Sequence, residues 1–316
     1  MDALSEVFAA VRLRGGVFLD AAFTAPWCVV SQVAPEDCVA AGPVPVHLVA
    51  YHFVVEGELY LSVGGNAPVP LRPGHLVLLP RNDPHVLGSA PGLEPVVVDA
   101  LVQPAGGLAP ARLALGGGGE PARIVCGFLG CDLPHNPLIH TLPPVLALSV
   151  RDGVAEHWME ATFMHAAREF AEGGSGSAAL LSKLAELLFV ELVRRHLATL
   201  PDGQTGWLAG LRDRSVGRAL ALMHARVTHP WTTEALARHV GLSRSAFAER
   251  FAVLLGMAPM HYLAHWRLQL AAMRLRDSPA PLVQIANDVG YESDAAFCRA
   301  FKRAFGVTPA VWRRCG

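Results

Sequence analysis

Two short stretches in the last third of the chain carry polar side chains that can hydrogen-bond to DNA bases, set among aromatic residues. In the first stretch Phe247 and Phe251 lie four residues apart, so a helix there would bury both on one face. Arginine, serine and carboxylate groups can bond to base edges in a major groove. The outer face of this helix would carry such groups, namely Arg244, Ser245 and Glu249, beside Ala248.

The same order of residue types occurs a second time. Residues 236–247 correspond to residues 285–297, with one insertion, and each copy ends in Gly-x-x-Pro. Phe297 and Phe301 take the place of the first aromatic pair. The second outer face would present Asp294, Ala295, Cys298 and Arg299. The repeat therefore predicts a duplicated unit with two base-contacting helices.

Each copy predicts two helices joined by a tight turn, which would hold the base-contacting helix in place. Gly241 supplies a turn in which a positive φ costs little, and Ser243 can cap the helix that follows. Gly290 and Ser293 occupy the same positions in the second copy. Between the copies, residues 259–275 form an uninterrupted helical pattern, and such a rod would set the distance between the two outer helices.

The charge of the chain is divided unevenly. From Leu211 to the end there are 15 Lys and Arg against 7 Asp and Glu, a balance of +8, which leaves −9 for residues 1–210. Clustered positive charge is what contact with DNA phosphates requires. A solvated basic face without any partner would produce the same balance, so charge by itself is a weak indication.

Residues 215–315 resemble the DNA-binding domain of the AraC/XylS family of transcription regulators. The resemblance is carried by the stretches 290–302, which begins Gly-Tyr-Glu-Ser, and 305–309, which is Phe-Gly-Val-Thr-Pro. It implies that the helices starting at Ser243 and Ser293 enter successive major grooves on one side of the duplex. It also implies base contacts by Arg244, Ser245, Glu249, Asp294 and Arg299, and phosphate contacts by Lys302 and Arg303. Each of these side chains is alternatively a solvated surface group.

The first half of the chain follows a different pattern. From Val44 to Val98, runs rich in Val, Leu, Phe and Tyr are separated by Gly, Pro and Asn, which predicts antiparallel strands. Residues 71–85 resemble the second motif of cupin barrels, and residues 51–57 resemble the strand that precedes it. The resemblance implies a cupin-like barrel whose interior can hold a small ligand or a metal ion. The predicted fold class is α+β and multidomain: an antiparallel β-barrel, a helical connector, and an all-α domain of two helix-turn-helix units joined by a long helix.

The cupin resemblance implies a metal site in the barrel. His85 stands where the motif places a metal-binding histidine, His52 is expected to point inward from a neighbouring strand, and Cys126 belongs to a predicted late strand. Two imidazoles and a thiolate suit zinc (Zn). The usual His-x-His followed by Glu is absent, with Ala50 near the expected carboxylate, which argues against dioxygenase chemistry. The alternative is that both histidines are buried and bonded to the backbone.

Further cysteines extend these options. Cys131 and His135 are candidates for a fourth ligand, although spacing alone does not select either. Cys126 and Cys131 are also candidate redox sites, because oxidation of a thiol changes the packing around it. Some regulators of this cupin-bearing subgroup respond to oxidants. Inert buried cysteines are the alternative.

A helical connector is predicted between the two domains. Residues 154–172 and 178–199 have helical patterns, and the second is rich in leucine that could pack against a second copy of the chain. Residues 200–210, with Pro201, Gly203 and Gly206, predict a flexible joint. The predicted domains are therefore a sensing domain over 1–150, a connector and dimerisation segment over 151–210, and a DNA-binding domain over 211–316.

Length and composition are consistent with this organisation. The 316 residues fit two or more domains, and six irregularly spaced cysteines do not resemble a disulfide framework. The start of the chain has acidic residues where a secretory signal needs basic ones, and no apolar run approaches the ~20 residues of a membrane span. A soluble, cytoplasmic protein is expected.

Residues and resemblance together predict a sequence-specific DNA-binding transcription factor, and the family favours an activator. Its expected partners are double-stranded promoter DNA, RNA polymerase, a second copy of the chain, and a small-molecule, metal or oxidant effector. It is not expected to be an enzyme. Two alternatives remain. The missing carboxylate counts against a metal-dependent cupin enzyme fused to a DNA-binding module, and the confinement of positive charge to the repeat counts against a non-specific DNA-compacting protein.

Overall fold

The computed structural model groups the chain into two compact units. The sheet unit consists of Leu13–Cys131 and Leu142–His196, and the helical unit consists of Met1–Arg12, Asp132–Thr141 and Leu197–Gly316. The first segments of the helical unit thus come from the region that the sequence assigned to the sensing domain. The residues described are 3–11, 13–35, 37–38, 45–97, 102, 111–133, 136–149, 161–162, 165–166, 168–170, 172, 174–201 and 203–315.

The sheet unit contains two β-sheets. Their strands are β1 Arg14–Thr24, β2 Cys28–Ser31, β3 His47–Glu56, β4 Leu59–Val63, β5 Val69–Leu71, β6 His75–Leu79, β7 His85–Gly88, β8 Val96–Val97, β9 Ala111–Gly116, β10 Pro121–Cys131 and β11 Leu146–Ser149. One sheet has the order β11-β6-β3-β10-β1-β9, and the other has the order β5-β4-β7-β2-β8. The pairs are antiparallel except that β9 runs parallel to β1 and β8 parallel to β2.

One apolar core draws on both sheets. Phe23 and Ile124 enter it from the larger sheet, and Leu61 and Leu87 enter it from the smaller one. Along β4 buried and half-buried residues alternate, as expected of a strand with one face on a core. Strand β10 lies between β3 and β1, so nearly all of its length is buried. This strand therefore offers the most protected positions for polar side chains.

Helix α3, Ser177–Thr199, packs beside the larger sheet. The backbone N–H of Gly15 on β1 donates to Oε1 of Glu186 at 3.2 Å. The helix buries an apolar face that includes Leu181, Leu188 and Phe189. On its other side Leu180 and Leu187, seven residues apart, remain exposed. The helix predicted over 178–199 is confirmed, and it keeps a narrow apolar strip uncovered.

The helical unit contains short helices around one long rod. Their bounds are α1 Ala3–Val11, α2 Pro137–Thr141, α4 Trp207–Arg212, α5 Arg214–Ala225, α6 Thr233–Val240, α7 Arg244–Leu255, α8 Pro259–Asp277, α9 Leu282–Asp288, α10 Asp294–Phe305 and α11 Pro309–Cys315. Helix α8 is the predicted rod. Within the described residues, no helix is long and apolar enough to cross a membrane.

Some predictions need correction. Strands run from Arg14 to Ser149, on both sides of the stretch from Val44 to Val98 in which the sequence pattern is clearest. The joint predicted over 200–210 is shorter, since α4 already begins at Trp207. The helix predicted over 154–172 lies largely outside the described residues.

Candidate nucleic-acid interface and sensor site

The first helix-turn-helix unit is formed by α6 and α7. Thr232 caps α6 by accepting a hydrogen bond from the Ala235 N–H at 3.0 Å. Gly241 ends that helix in the left-handed conformation, with φ of 74°. Ser243 then caps α7, its Oγ accepting from the Ala246 N–H at 3.2 Å. The predicted turn and caps of the first copy are confirmed.

The second unit repeats the arrangement in α9 and α10. Gly290 has φ of +84°, and the Oγ of Ser293 accepts from the Ala296 N–H at 3.4 Å. Phe297 and Phe301 are fully buried and belong to a core that α8 shares. Helix α10 is thus held by its aromatic side, and its opposite side remains in solvent.

The residues predicted to contact DNA lie on the outer sides of α7 and α10. All of the following are exposed: Ser243, Arg244, Ser245, Glu249, Ser293, Asp294, Arg299, Lys302 and Arg303. Within the described part of the chain, neither Arg244 nor Arg299 forms an ion pair. Their guanidinium groups therefore have donors to offer to guanine or phosphate acceptors. Ala248 and Ala295 flank them and cannot make bidentate base contacts.

A buried polar chain lies behind the first unit. The Trp207 indole N–H donates to the Tyr262 hydroxyl at 2.9 Å, and that hydroxyl lies 2.9 Å from Nε2 of His224. The Tyr262 ring also meets Phe251 of α7 edge-on, at a centroid distance of 5.8 Å. Burial lowers the pKa of His224 to about 3, so this histidine is neutral at physiological pH. Trp207, His224 and Tyr262 are far apart in the sequence, so no local pattern predicts that they meet.

In the sheet unit, the three predicted metal ligands lie side by side. His52 on β3 is opposite Cys126 on β10, and its Nδ1 is 3.0 Å from the Cys126 Sγ. The Nε2 of His52 is 2.6 Å from the Nε2 of His85, at the start of β7. All three side chains are buried. The three side chains thus meet in the core of the sheet unit.

The hydrogen bonds of this cluster have one consistent direction. His85 Nδ1 lies 2.9 Å from the Asp83 carbonyl oxygen, which can only accept, so Nδ1 carries a proton. In a neutral ring the Nε2 of His85 then accepts from the Nε2–H of His52. The Nδ1 of His52 is left as an acceptor, and the Cys126 thiol donates to it. We call this chain of Cys126, His52, His85 and the Asp83 carbonyl the thiol–imidazole relay.

Burial keeps the relay uncharged. It lowers the pKa of His52 well below its usual value, an effect that His85 reinforces. It also lowers the pKa of His85, although the bond to Asp83 opposes the shift. The pKa of the Cys126 thiol is raised, first by burial and then by the carboxylates of Asp20 and Asp37. Two neutral imidazoles and a protonated thiol are therefore the resting forms.

The relay does not fit the predicted three-ligand zinc site. Cys126 contacts Nδ1 of His52 while His85 contacts Nε2, so the two partners lie on different sides of one ring. One ion cannot bind both nitrogens of an imidazole, and this geometry offers it two of the three groups at most. No cluster of three or more His, Cys, Asp or Glu suited to a metal ion occurs within the described residues. His135 lies outside them.

Cys131 is on the same strand as Cys126 but not in the relay. It lies five residues further along β10, opposite His47, and is fully buried. At about 3.3 Å per residue the two sulfur positions are too far apart for a disulfide. Cys38, which the sequence analysis did not select, shares the apolar core with Cys126.

The fold and these sites define a class: a regulator in which a cupin-type sensor is joined to a double helix-turn-helix reader. Residues 2–198 match a family model described as "Cupin", and residues 236–315 match one described as "Helix-turn-helix domain". The cupin match alone spans more than half of the chain.

Relatives extend the match along the chain. A "Putative AraC-like transcription regulator" of Streptomyces antibioticus is 31% identical and covers 99% of both chains. Another of that description, from Streptomyces lividans, is 33% identical over 84% of this chain and 87% of its own. The "RCS-specific HTH-type transcriptional activator RclR" of Escherichia coli is 28% identical over 84% of each. The chain belongs to the AraC family of DNA-binding transcription regulators, in the group with a cupin N-terminal domain.

Proposed function

We propose that this regulator recognises a promoter through α7 and α10 together, and that the thiol–imidazole relay in its cupin unit controls the bound activity. The observation that carries the first part is the pair of serine-capped helices, each anchored by two buried phenylalanines and each presenting an arginine free of ion pairs within the described residues. Such helices suit entry into two major-groove segments of double-stranded DNA.

The first experiment measures binding to genomic DNA fragments in the presence of excess random DNA. The wild type is compared with an Arg244→Ala, Arg299→Ala double variant. An Arg72→Ala, Arg194→Ala variant is the control, because it removes the same charge from exposed positions of the sheet unit. Retention of a few fragments by the wild type and control, lost in the first variant, supports readout by both helices. Equal, salt-sensitive retention of all fragments by the three proteins would leave only a basic surface.

We further propose that an oxidant is the effector. The E. coli relative is described as RCS-specific, and the relay places a base beside the Cys126 thiol. With hypochlorous acid, the sulfur would lose two electrons and gain the oxygen as a sulfenic acid, while the oxidant is reduced to chloride and a proton is released. The released proton leaves with the chloride, since burial keeps His52 neutral. Because Cys126 lies buried on β10, the added oxygen would need a hydrogen-bond partner in place of the present contact with His52.

This part is tested by treating the protein with hypochlorite and measuring DNA affinity or promoter activity. The response should be absent in Cys126→Ser and preserved in Cys298→Ser, which removes a half-buried cysteine from the reader helix α10. A gain of one oxygen on the Cys126 peptide should accompany it. If Cys298→Ser abolishes the response and Cys126→Ser does not, the relay is not the sensor.

Zinc is the second candidate effector, because the facing Nε2 atoms of His52 and His85 are the first two groups such an ion could bind. Binding of a zinc ion by all three side chains would require the His52 ring to turn, because Cys126 and His85 now contact different ring nitrogens. Metal content of the purified protein decides this: one zinc per chain, lost in Cys126→Ser, supports it, and none in either protein removes it.

The remaining partners follow from the class of protein. A dimer through α3 is proposed because Leu180 and Leu187 are exposed at a seven-residue interval. Activation through contact with RNA polymerase is proposed from the family, and action on a chromosome places the protein in the cytoplasm. Catalytic turnover is not part of the proposal.

A further inference from the structure

Arg267, in the middle of α8, hydrogen-bonds to the loop that precedes the first helix-turn-helix unit and lies against the turn of the second. We propose that Arg267 is a positioning residue that sets the distance between α7 and α10, and hence the base-pair spacing between the two DNA segments that they recognise. The inference rests on the proposed sequence-specific binding. It assigns the spacing to a residue that does not itself read bases.

On one side the guanidinium holds the loop that leads into the first unit. Its Nε donates to the Val227 carbonyl and its Nη2 to the His229 carbonyl, each at 2.8 Å. This loop is itself ordered by the buried Trp231, whose indole N–H donates to the Arg226 carbonyl. The Trp231 ring also meets His239 of α6 edge-on, at a centroid distance of 5.3 Å. Holding the loop therefore holds α6, which supports α7.

On the other side the guanidinium lies against the turn of the second unit. A Cβ at Gly290 would be 2.9 Å from both the Cζ and the Nη2 of Arg267. Gly290 occupies the turn before Ser293, which caps α10. At Gly241, the equivalent position of the first unit, no described residue beyond its chain neighbours comes within 4 Å of such a Cβ. The two turns are thus alike in backbone but differ in this contact.

An arginine is the side chain that can make both contacts at once. Its planar group presents several N–H donors in a fixed fork, whereas lysine offers a compact ammonium without that geometry. Burial lowers the pKa of Arg267, and the nearby Tyr291 opposes the shift. Within the described residues no carboxylate pairs with Arg267, so backbone carbonyls provide its acceptors. The cost of half-burying the charge is offset by the two hydrogen bonds to the loop before α6.

Spacing is a property that DNA reports directly. One inserted base pair moves the second segment by about 3.4 Å along the axis and turns it by about 35°. A rigid reader cannot follow that movement, whereas a reader with a loosened joint can. A residue that only contacted phosphate would instead weaken binding at every spacing alike and reduce the salt dependence.

The experiment selects DNA from a random library with the full-length wild type, and then inserts or deletes one base pair between the two recognised segments. Binding is measured for the wild type, Arg267→Lys, Arg267→Met and Arg274→Met. Arg274 is the matched control: it lies on the same helix and pairs with Asp288 of the second unit alone. Melting curves check that each variant is folded. If Arg267→Met does not fold, the comparison is made with Arg267→Lys.

We expect the altered spacing to cost the wild type and Arg274→Met about tenfold in affinity, the size of a base mismatch. In the Arg267 variants that penalty should fall to about threefold or less, with the same bases selected in each segment. An unchanged penalty in the Arg267 variants, or an equal loss of affinity at every spacing, would overturn the inference. If the wild type selects no DNA sequence, the proposed function itself fails, which is a different result.

Discussion

The Nδ1 of His52 accepts a hydrogen bond from the Cys126 thiol across the β3–β10 pair, with 3.0 Å between nitrogen and sulfur. The direction of this bond is fixed at the other end of the relay. There Nδ1 of His85 must donate to the Asp83 carbonyl, because a carbonyl oxygen can only accept. Each member of the relay thereby has a defined protonation state. If one member gains or loses a proton, its neighbours must exchange donor and acceptor roles as well. Otherwise a buried polar group is left without a partner.

The tautomers of the relay are the first prediction. Nitrogen NMR of histidine-labelled protein should show His52 as the neutral Nε2–H form and His85 as the neutral Nδ1–H form. Both should take up a proton only below the ordinary range of an imidazole, because burial lowers both pKa values. Burial also lowers the pKa of His196, so its NMR signal must be told apart from those of the relay. A substitution at His196 identifies that signal. Protonation of either relay histidine in the ordinary range of an imidazole would contradict the assignment.

The caps of the reader helices give the second prediction. Ser243→Ala removes the acceptor for the Ala246 N–H and should lower the free energy of unfolding of the helical unit by ~1 kcal/mol. Ser245→Ala, two residues further on, keeps the capping oxygen and removes only an exposed hydroxyl 3.3 Å from the Ser243 Oγ, so it should cost less. Denaturant unfolding measures both. Equal losses in the two variants would show that the cap does not stabilise α7.

His224 gives a prediction about pH. Below about 6.5 the unfolded chain binds a proton at this residue, while the folded protein does not until about pH 3. Acid therefore favours the unfolded state across that interval, and stability should fall by up to about 1.4 kcal/mol per pH unit from this group. In His224→Gln this contribution should disappear. Unfolding curves at pH 7.5, 6.0 and 5.0 for the two proteins measure it, and parallel pH profiles would contradict it.

Asp213 gives a prediction about the start of α5. Burial opposes its ionisation, yet hydrogen bonds from Arg250 and from the N–H groups of Val216 and Ser215 lower its pKa overall. Its charged form therefore stabilises the fold above the usual aspartate pKa, and this contribution is lost as pH falls through the lowered value. Asp213→Ala should cost ~1 kcal/mol at pH 7 through loss of the cap.

The control is Asp213→Asn, which keeps an oxygen to cap the helix but loses the charge beside Arg250. It should be more stable than the alanine variant at pH 7, and its advantage should persist at high salt, because capping is a local bond. If the asparagine and alanine variants unfold alike, the charge rather than the cap is what Asp213 contributes.

The helix-turn-helix repeat could be predicted from the sequence because its signals are local. Ser243 caps an N–H three residues ahead, and Gly241 adopts its left-handed turn beside the helix that it ends. Phe247 and Phe251 share a face by helical period alone. Helices α8 and α3 could also be predicted from local signals, because their apolar patterns are continuous.

Other features depended on residues that are distant in the chain. Strand β1 pairs with β10, so Arg14 lies opposite Gly130. No residue close to either one in the sequence predicts this pairing. His52 and Cys126 were both chosen as candidates, but whether they would share one ion or one proton depended on which ring nitrogen faced the sulfur. That is decided by the register of β3 on β10 and by the position of His85.

By itself, then, the sequence determined the class of fold, the duplicated reader and the set of polar residues on its outer faces, because helix periodicity and capping act over three to four residues. Only the tertiary structure decided the direction of the relay, the shorter joint before Trp207, and the contacts of Arg267. The acceptors of Arg267 are backbone carbonyls, which every residue carries and no pattern of side chains can distinguish. Their identity comes from packing, which brings the loop before α6 and the turn at Gly290 to the same side of α8.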